Sequence, residues 1–338
     1  MCPVCSIILT ITVAWAVLLL ASTTLLITVT VGVPSQHKAT NSDSLGTPKT
    51  AVALTQWNVH GINLANEAGK PVVMSEFSSV ACGGYPTVSD TFGATLWSTD
   101  YAMQMAVVGY SAAYLHTRER NVSYNLFNYP GDGVNGWTTG SVYYSYFPIL
   151  QGLQSYNGSR VIDLGLNTTS AAGYGIYDKN TSELYRMILI NFQDSGNGPV
   201  GFVIPESSPR AGEGKNTTVK FLTATSLHEV SDISWSGQTW NGVQDGKPVS
   251  SGRDADLIRV DMSASYTLQI PSPGLAVVMF EKPLPNGEPS GGGNGSGSSS
   301  GSTSINGGGE KNNGPALLAV VPIVVTMGTI LVGALALN

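Results

Sequence analysis

Residues 70–84 constrain this chain more tightly than any other stretch. The apolar run Val72-Val73-Met74 reads as a short, buried parallel strand. It ends on one carboxylate, Glu76, and passes into a loop of small residues that closes on Cys82-Gly83-Gly84. A strand that hands a carboxylate to the loop beyond its carboxyl end is how (β/α) barrels place catalytic groups. The plainer reading of the same residues is a strand-end Glu in a surface loop.

A long helical pattern follows. Ser89 suits an N-cap, the pattern runs to about Val108, and Gly109 suits the stop. Phe92, Leu96, Met103 and Val107 form its core-facing stripe, and Trp97 and Tyr101 read as packing residues rather than sugar binders. Residues 111–115 form the next short strand, with His116-Thr117-Arg118-Glu119 at its end. A polar loop over 120–140 then carries Tyr124, Asn125, Phe127, Tyr129 and Trp137, and 141–153 is helical and aromatic-rich. This is a right-handed parallel unit of strand, helix, strand, loop and helix. Upstream, 35–50 is polar and expected to be disordered. Leu54, Trp57, Ile62 and Leu64 make an irregular helical pattern that ends near Gly69.

From Arg160 the period changes. Residues 161–166, 173–178, 184–192, 200–204, 218–222, 257–261, 266–270 and 275–280 read as short strands. Asn157-Gly158, Asp194-Ser195-Gly196 and Pro271-Ser272-Pro273-Gly274 are among the turn signals between them. Many short strands at this spacing indicate a β-sandwich.

Residues 70–84, with Ser89-Asp90-Thr91-Phe92-Gly93-Ala94-Thr95-Leu96-Trp97 and Ala113-Tyr114-Leu115-His116-Thr117-Arg118-Glu119, resemble glycoside hydrolase family 79. That family contains β-glucuronidases, and the likeness is to its fungal members in particular. It runs from about Leu54 to about Glu281. The resemblance implies an α/β plus all-β chain: a partial (β/α)8 barrel, its last two β/α units, followed by an antiparallel β-sandwich. It implies retaining hydrolysis of β-glucuronosides with Glu76 as nucleophile. The backbone N–H groups of Cys82-Gly83-Gly84 would receive the glucuronate carboxylate, and Tyr124 would also contact it. His116 and Arg118 would line the pocket; Arg118 pairs equally well with Glu119 or Asp132. Ser78 stands where many members carry Asn.

The family acid/base is a Glu preceded by Asn on a strand well upstream. The only Asn-Glu pair here is Asn66-Glu67, in a helical pattern just before the Glu76 strand. A whole barrel takes roughly 250 residues. The expectation is therefore a portion short of about six strands and of the acid/base Glu, inactive as written. Glucuronosyl polysaccharides or glycoprotein glycans are the implied partners, with no cofactor and no metal. Two alternatives stay open. One is a non-catalytic cell-surface β-sandwich glycoprotein, structural or carbohydrate-binding; the other is complementation by a separate barrel half.

Composition adds bounds. With 16 Lys+Arg among 338 residues and a net charge of −6, nothing signals nucleic-acid binding. Three cysteines are too few for a disulfide scaffold, and Cys2 and Cys5 alone are weak evidence for a metal. Sequons at Asn121, Asn157, Asn167, Asn180, Asn216 and Asn294 suit the secretory pathway and the cell surface. The apolar stretch 7–33 is long enough to span a bilayer and reads as a signal, an anchor or untranslated sequence. At the other end Asn306-Gly307-Gly308, a polar spacer and an apolar tail make a GPI signal with attachment at Asn306; a membrane-spanning tail is the alternative. The expected divisions are 1–33 signal or anchor, 34–50 disordered, 51–155 partial barrel, 156–283 β-sandwich, 284–314 Gly/Ser-rich linker and 315–338 hydrophobic tail.

Overall fold

The computed structural model describes residues 47–81, 83–118, 121–129, 136–155, 158–204, 216–242, 246–253, 257–261 and 266–280. The expectations placed on 7–33, 284–314 and 315–338 lie outside these residues. Two helices open the described chain, α1 (Pro48–Gln56) and α2 (Val59–Glu67), where one irregular helix from residue 54 is expected. Helix α1 starts inside the segment expected to be disordered. Pro48 explains this: its fixed φ and missing N–H suit the first helical turn. The break at Trp57–Asn58 restarts the helical register, so Ile62 and Ala65 are buried while Trp57 and Leu64 are exposed. Gly69, at φ 64°, ends α2 as expected.

Strand β1 (Val73–Phe77) pairs in parallel with β2 (Ala112–Leu115), and α3 (Phe92–Val108) connects them. The N-cap of α3 is Thr91, whose hydroxyl accepts from the Ala94 N–H; the Ser89 hydroxyl instead accepts from the Tyr85 N–H at 2.9 Å. Gly109 is the left-handed C-cap, at φ 117°. The expected apolar stripe is only part of what α3 buries. Every residue from Phe92 to Ala106 is buried, including Thr95, Ser98, Thr99, Asp100 and Gln104. A helix apolar on most sides belongs between layers. Here α1, the parallel pair and the segment from 141 onward surround α3. Trp97 and Tyr101 stack on each other at 5.1 Å, with Phe77 5.5 Å from Tyr101, so both pack.

A small hairpin, β3 (Phe127–Asn128) with β4 (Thr138–Thr139), leads through a 3-10 turn (Ser141–Ser145) into α4 (Tyr146–Leu153). Eleven strands follow: β5 (Ser159–Asp163), β6 (Ala171–Asp178), β7 (Leu184–Asn191), β8 (Val200–Ile204), β9 (Asn216–Ala224), β10 (Ile233–Trp235), β11 (Gln238–Thr239), β12 (Val249–Ser250), β13 (Leu257–Asp261), β14 (Tyr266–Ile270) and β15 (Gly274–Phe280). Nine form one antiparallel sheet in the order β12-β11-β10-β9-β15-β7-β6-β5, with β13 also on β9; β8 and β14 form a separate pair.

Alternation along the central strands explains their unbroken apolar runs. Ile188, Ile190, Leu275 and Val277 share one core with α3 and the α4 segment. Their neighbours Met187, Leu189, Ala276 and Val278 share another with Phe202, Ile204, Leu268 and Ile270 of the β8–β14 pair. The two antiparallel sheets are unequal: among the described residues the second has two strands, and helices occupy the large sheet's other face. Helix α4 lies so close to β7 that a Cβ on Gly152 would come within 2.5 Å of Ile188 Cδ1.

Candidate active site

The parallel pair carries the centre of the site. His116 N–H donates to the Phe77 carbonyl at 2.8 Å, so the ends of β1 and β2 stay together. Between Met74 and Phe77 the pairing register slips, leaving an extra residue on β1. Such bulges re-aim side chains beside functional sites. Phe77 turns into the Trp97–Tyr101 cluster, while Glu76 stands beside His116, with Oε1 3.7 Å from Nε2. Both remain open to solvent, at 42% and 25% side-chain exposure. Glu76 thus lies within the strand's last residues rather than in the loop beyond it.

Two loops complete the arrangement. The Ser123 N–H donates to the Gly83 carbonyl at 2.9 Å, which binds the loop after β1 to the loop after β2. Tyr124 is thereby buried, with its ring 5.6 Å from His116. Its phenol oxygen meets the Gly83 backbone N–H and the Arg118 side chain. Burial holds this phenol above its ordinary pKa; the Gly83 bond and Arg118 pull the other way, and the charge of Glu76 adds to the rise. Gly83 and Gly84 have φ of 98° and 78°. A Cβ on Gly84 would come 2.9 Å from both Ser89 Cβ and Tyr124 Cδ1, so only glycine lets the Tyr124 ring seat here.

Glu76, Gly83, Gly84, His116, Arg118 and Tyr124 therefore converge, although they come from two strands and two loops. Cys82, Glu119 and Asp132 lie outside the described residues, so the alternative pairings of Arg118 do too. Asn66 and Glu67 occupy the last turn of α2, not a strand end. Sequence reasoning assigned no role to Asn125. It is buried, its Oδ1 accepts from the Arg118 N–H at 2.9 Å and the Thr117 hydroxyl at 3.1 Å, and its amide donates to Asn128 Oδ1 at 3.1 Å. No periodic signal in a polar loop marks such a residue.

Chemically, the arrangement offers an exposed carboxylate, an imidazole beside it, and a cluster of a guanidinium, a phenol and a backbone N–H. That set suits a nucleophile next to an anion-recognition site. A cavity of about 360 Å³ lies elsewhere, among Pro48, Val52, Gln104, Asp163 and Thr168, and none of the converging residues lines it.

Among the sequons, Asn121, Asn167 and Asn180 are exposed, and Asn216 begins β9. Asn157, Asn294 and Asn306 lie outside the described residues. Among the described residues no helix is long and apolar enough to cross a membrane.

Residues 173–277 match the glycosyl hydrolase family 79 C-terminal beta domain. A beta-glucuronidase of Aspergillus niger is 25% identical over 231 residues, covering 62% of this chain and 41% of that protein. A beta-glucuronidase of Neurospora crassa is 27% identical over 224 residues, covering 56% and 39%. The chain thus spans about two-fifths of the length of these curated relatives. Among solved structures, a 4-O-alpha-L-rhamnosyl-beta-D-glucuronidase from Fusarium oxysporum 12S superposes with a TM-score of 0.56 at 23% identity, over 71% of this chain and 50% of that one. That likeness concerns the fold.

Proposed function

We propose that this chain, whose relatives are β-glucuronidases and whose residues 173–277 match the glycosyl hydrolase family 79 C-terminal beta domain, carries the nucleophile and the carboxylate-binding half of a retaining β-glucuronidase-like site. The observation that carries the reading is the convergence of Glu76 and His116 at 3.7 Å with the Tyr124–Gly83–Arg118 cluster. The glucuronate carboxylate sits against Arg118, the Gly84 N–H and the Tyr124 hydroxyl, which the Gly83 N–H supports from behind. That anchors C1 of the sugar over Glu76. The Glu76 carboxylate attacks C1, the glycosidic C–O bond breaks, and a glycosyl ester forms; water later cleaves it. His116 holds the carboxylate in line.

Retaining hydrolysis needs a second carboxyl group about 5 Å from the first to protonate the leaving oxygen. We assign that role to no residue of this chain, so unactivated glucuronosyl polysaccharides or glycoprotein glycans are bound and not turned over by it alone. This shapes the experiment. A leaving group as good as fluoride needs no acid assistance. The chain is incubated with 2-deoxy-2-fluoro-β-glucuronosyl fluoride and digested for mass spectrometry. Fluoride departs and the fluoroglucuronosyl ester appears on the Glu76 peptide; Glu76→Gln stays unlabelled. Labelling of another carboxylate, or of Glu76→Gln, overturns the nucleophile assignment. The secretory, membrane-attached setting belongs to the same proposal, with sequons and a GPI site at Asn306 as its support.

A further inference from the structure

We infer that Tyr129 and Trp137, on the β3–β4 hairpin, form a stacking subsite for a neutral pyranose adjoining the glucuronate of a glycan. Asn128 and Thr138 face each other across the hairpin, so Tyr129 and Trp137 stand opposite one another just beyond that rung. Their ring centroids are 6.4 Å apart with planes at 70°, which makes an open corner. About half of each side chain is exposed, 49% and 52%, and neighbouring Phe127 is 44% exposed. A contiguous aromatic patch on a soluble surface marks a contact site more often than chance does.

The patch is held rather than loose. Phe127 rests on Tyr143 at 4.7 Å, and Tyr143 reaches Phe147 at 5.2 Å and Trp240 at 6.0 Å, so the hairpin is rooted in a half-buried aromatic column. It is also continuous with the Glu76 site. Asn125 bonds at once to the backbone of Arg118 and to the side chain of Asn128, and the Gly140 N–H donates to the Leu126 carbonyl at 2.8 Å. One buried amide therefore sets the spacing between the anion cluster and the aromatic corner.

The chemistry selects the occupant. One face of a pyranose presents C–H groups, and its hydroxyls lie at the rim. An aromatic plane takes the face; water takes the rim. Aromatic faces repel a carboxylate through their quadrupole, so the stacked ring is neutral and the charged ring goes to Arg118, Tyr124 and Gly84. An exposed aromatic patch also fits a protein partner, but the Asn125 link to an anion site favours a glycan chain.

The inference rests on the proposed reading only for the charged ring, and the test separates the two. Affinities for free glucuronic acid, for a disaccharide of glucuronate linked β to a neutral hexose, and for a neutral oligosaccharide are measured by NMR titration. The disaccharide is expected to bind roughly tenfold tighter than the monosaccharide, about what one aromatic contact supplies. Trp137→Ala and Tyr129→Ala each remove most of that advantage and leave the monosaccharide within twofold, while Trp137→Phe retains most of it. Near-UV circular dichroism checks the fold of each variant. A disaccharide advantage that survives both alanine variants overturns the subsite. If glucuronate does not bind but a neutral oligosaccharide does so through Trp137, the proposed function fails and the subsite stands. If no sugar binds, both fail.

Discussion

Asp100 lets the junction between α3 and the large sheet be tested with pH alone. Its carboxyl is wholly buried in the middle of α3. The Tyr174 hydroxyl, from β6, donates to Oδ1, while Oδ2 has no partner among the described residues. Burial raises its pKa from the ordinary 3.8 to about 7; the Tyr174 bond opposes the rise, and the charge of Asp163 adds to it. A carboxyl with a raised pKa in the fold stabilises the protein fully below the unfolded pKa. That stabilisation is lost as pH climbs from 3.8 through about 7, because only the unfolded chain releases the proton easily. At about 1.4 kcal/mol per pH unit, the loss across that window is roughly 4 kcal/mol. The assay is urea unfolding, followed by near-UV circular dichroism at half-unit steps from pH 4 to pH 8.5. Asp100→Asn keeps the shape and an oxygen for Tyr174 but cannot titrate. Its offset at pH 4 is about 1–3 kcal/mol from the extra buried N–H, and its midpoint then lacks the wild-type decline. Tyr174→Phe removes the bond that opposes the shift, so the decline starts at the same pH and extends to higher pH. Equal slopes in wild type and Asp100→Asn between pH 4 and pH 7 would refute the reasoning.

Gly84→Ala forces a positive φ on alanine and drives a methyl into Tyr124 and Ser89, so a loss of about 1–3 kcal/mol in thermal unfolding and a weakened glucuronate response are expected; unchanged values would show that the Tyr124 seat is not tight. The isolated segment 156–283 exposes Tyr174, Ile176, Ile188 and Ile190, which the helices cover, and should aggregate or exchange its amides quickly; a monomeric, well-protected fragment would instead favour an independent β glycoprotein. Glycans are expected at the exposed sequons Asn121, Asn167 and Asn180, and peptide mapping after enzymatic deglycosylation reads them as deamidated asparagines; unmodified peptides from a eukaryotic secretory host count against the secretory setting. Phosphatidylinositol-specific phospholipase should release the protein from cell membranes, and retention would favour a spanning tail.

Local signals made much of this architecture readable. The run Val72-Val73-Met74, the glycine at 109 and the alternation over 184–191 each report a backbone preference that the surrounding structure does not override. What stayed hidden depends on contacts distant in sequence. Ser89 and Thr91 are both competent caps, and only the path of the loop decides that Ser89 serves Tyr85 while Thr91 caps α3. Strands β10 to β12 are too short to show a period, yet β10 buries Trp235 and the residue after β11, Trp240, is buried too. The unequal sheets follow from which face the helices cover, and strand spacing carries no information about that. At the site, the residues singled out by resemblance stand together, whereas Asn125 became visible only once its side-chain hydrogen bonds were seen.

Those distant contacts also decide how the β region relates to the site. The first N–H groups of any helix lack partners within it. In α3 the Phe92 N–H donates to the Glu229 carbonyl at 2.7 Å and the Gly93 N–H to the Leu227 carbonyl at 2.8 Å, both in the turn between β9 and β10. That turn is itself shaped by the Glu229 carboxylate. The N–H groups of Asp232 and Ser231, foremost, hold its pKa down to about 2. The Tyr144 hydroxyl accepts the Trp240 N–H at 2.7 Å and bonds to the Thr239 hydroxyl, fixing the segment that follows the aromatic hairpin. So the β region supplies acceptors to the first turn of α3 and a donor to Tyr144, at the two ends of the unit that bears Glu76, Tyr124 and the hairpin. A β module merely appended to the site would not complete the site's own helix. The large sheet is therefore part of the framework that holds α3, and with it the unit bearing Glu76 and Tyr124, in place.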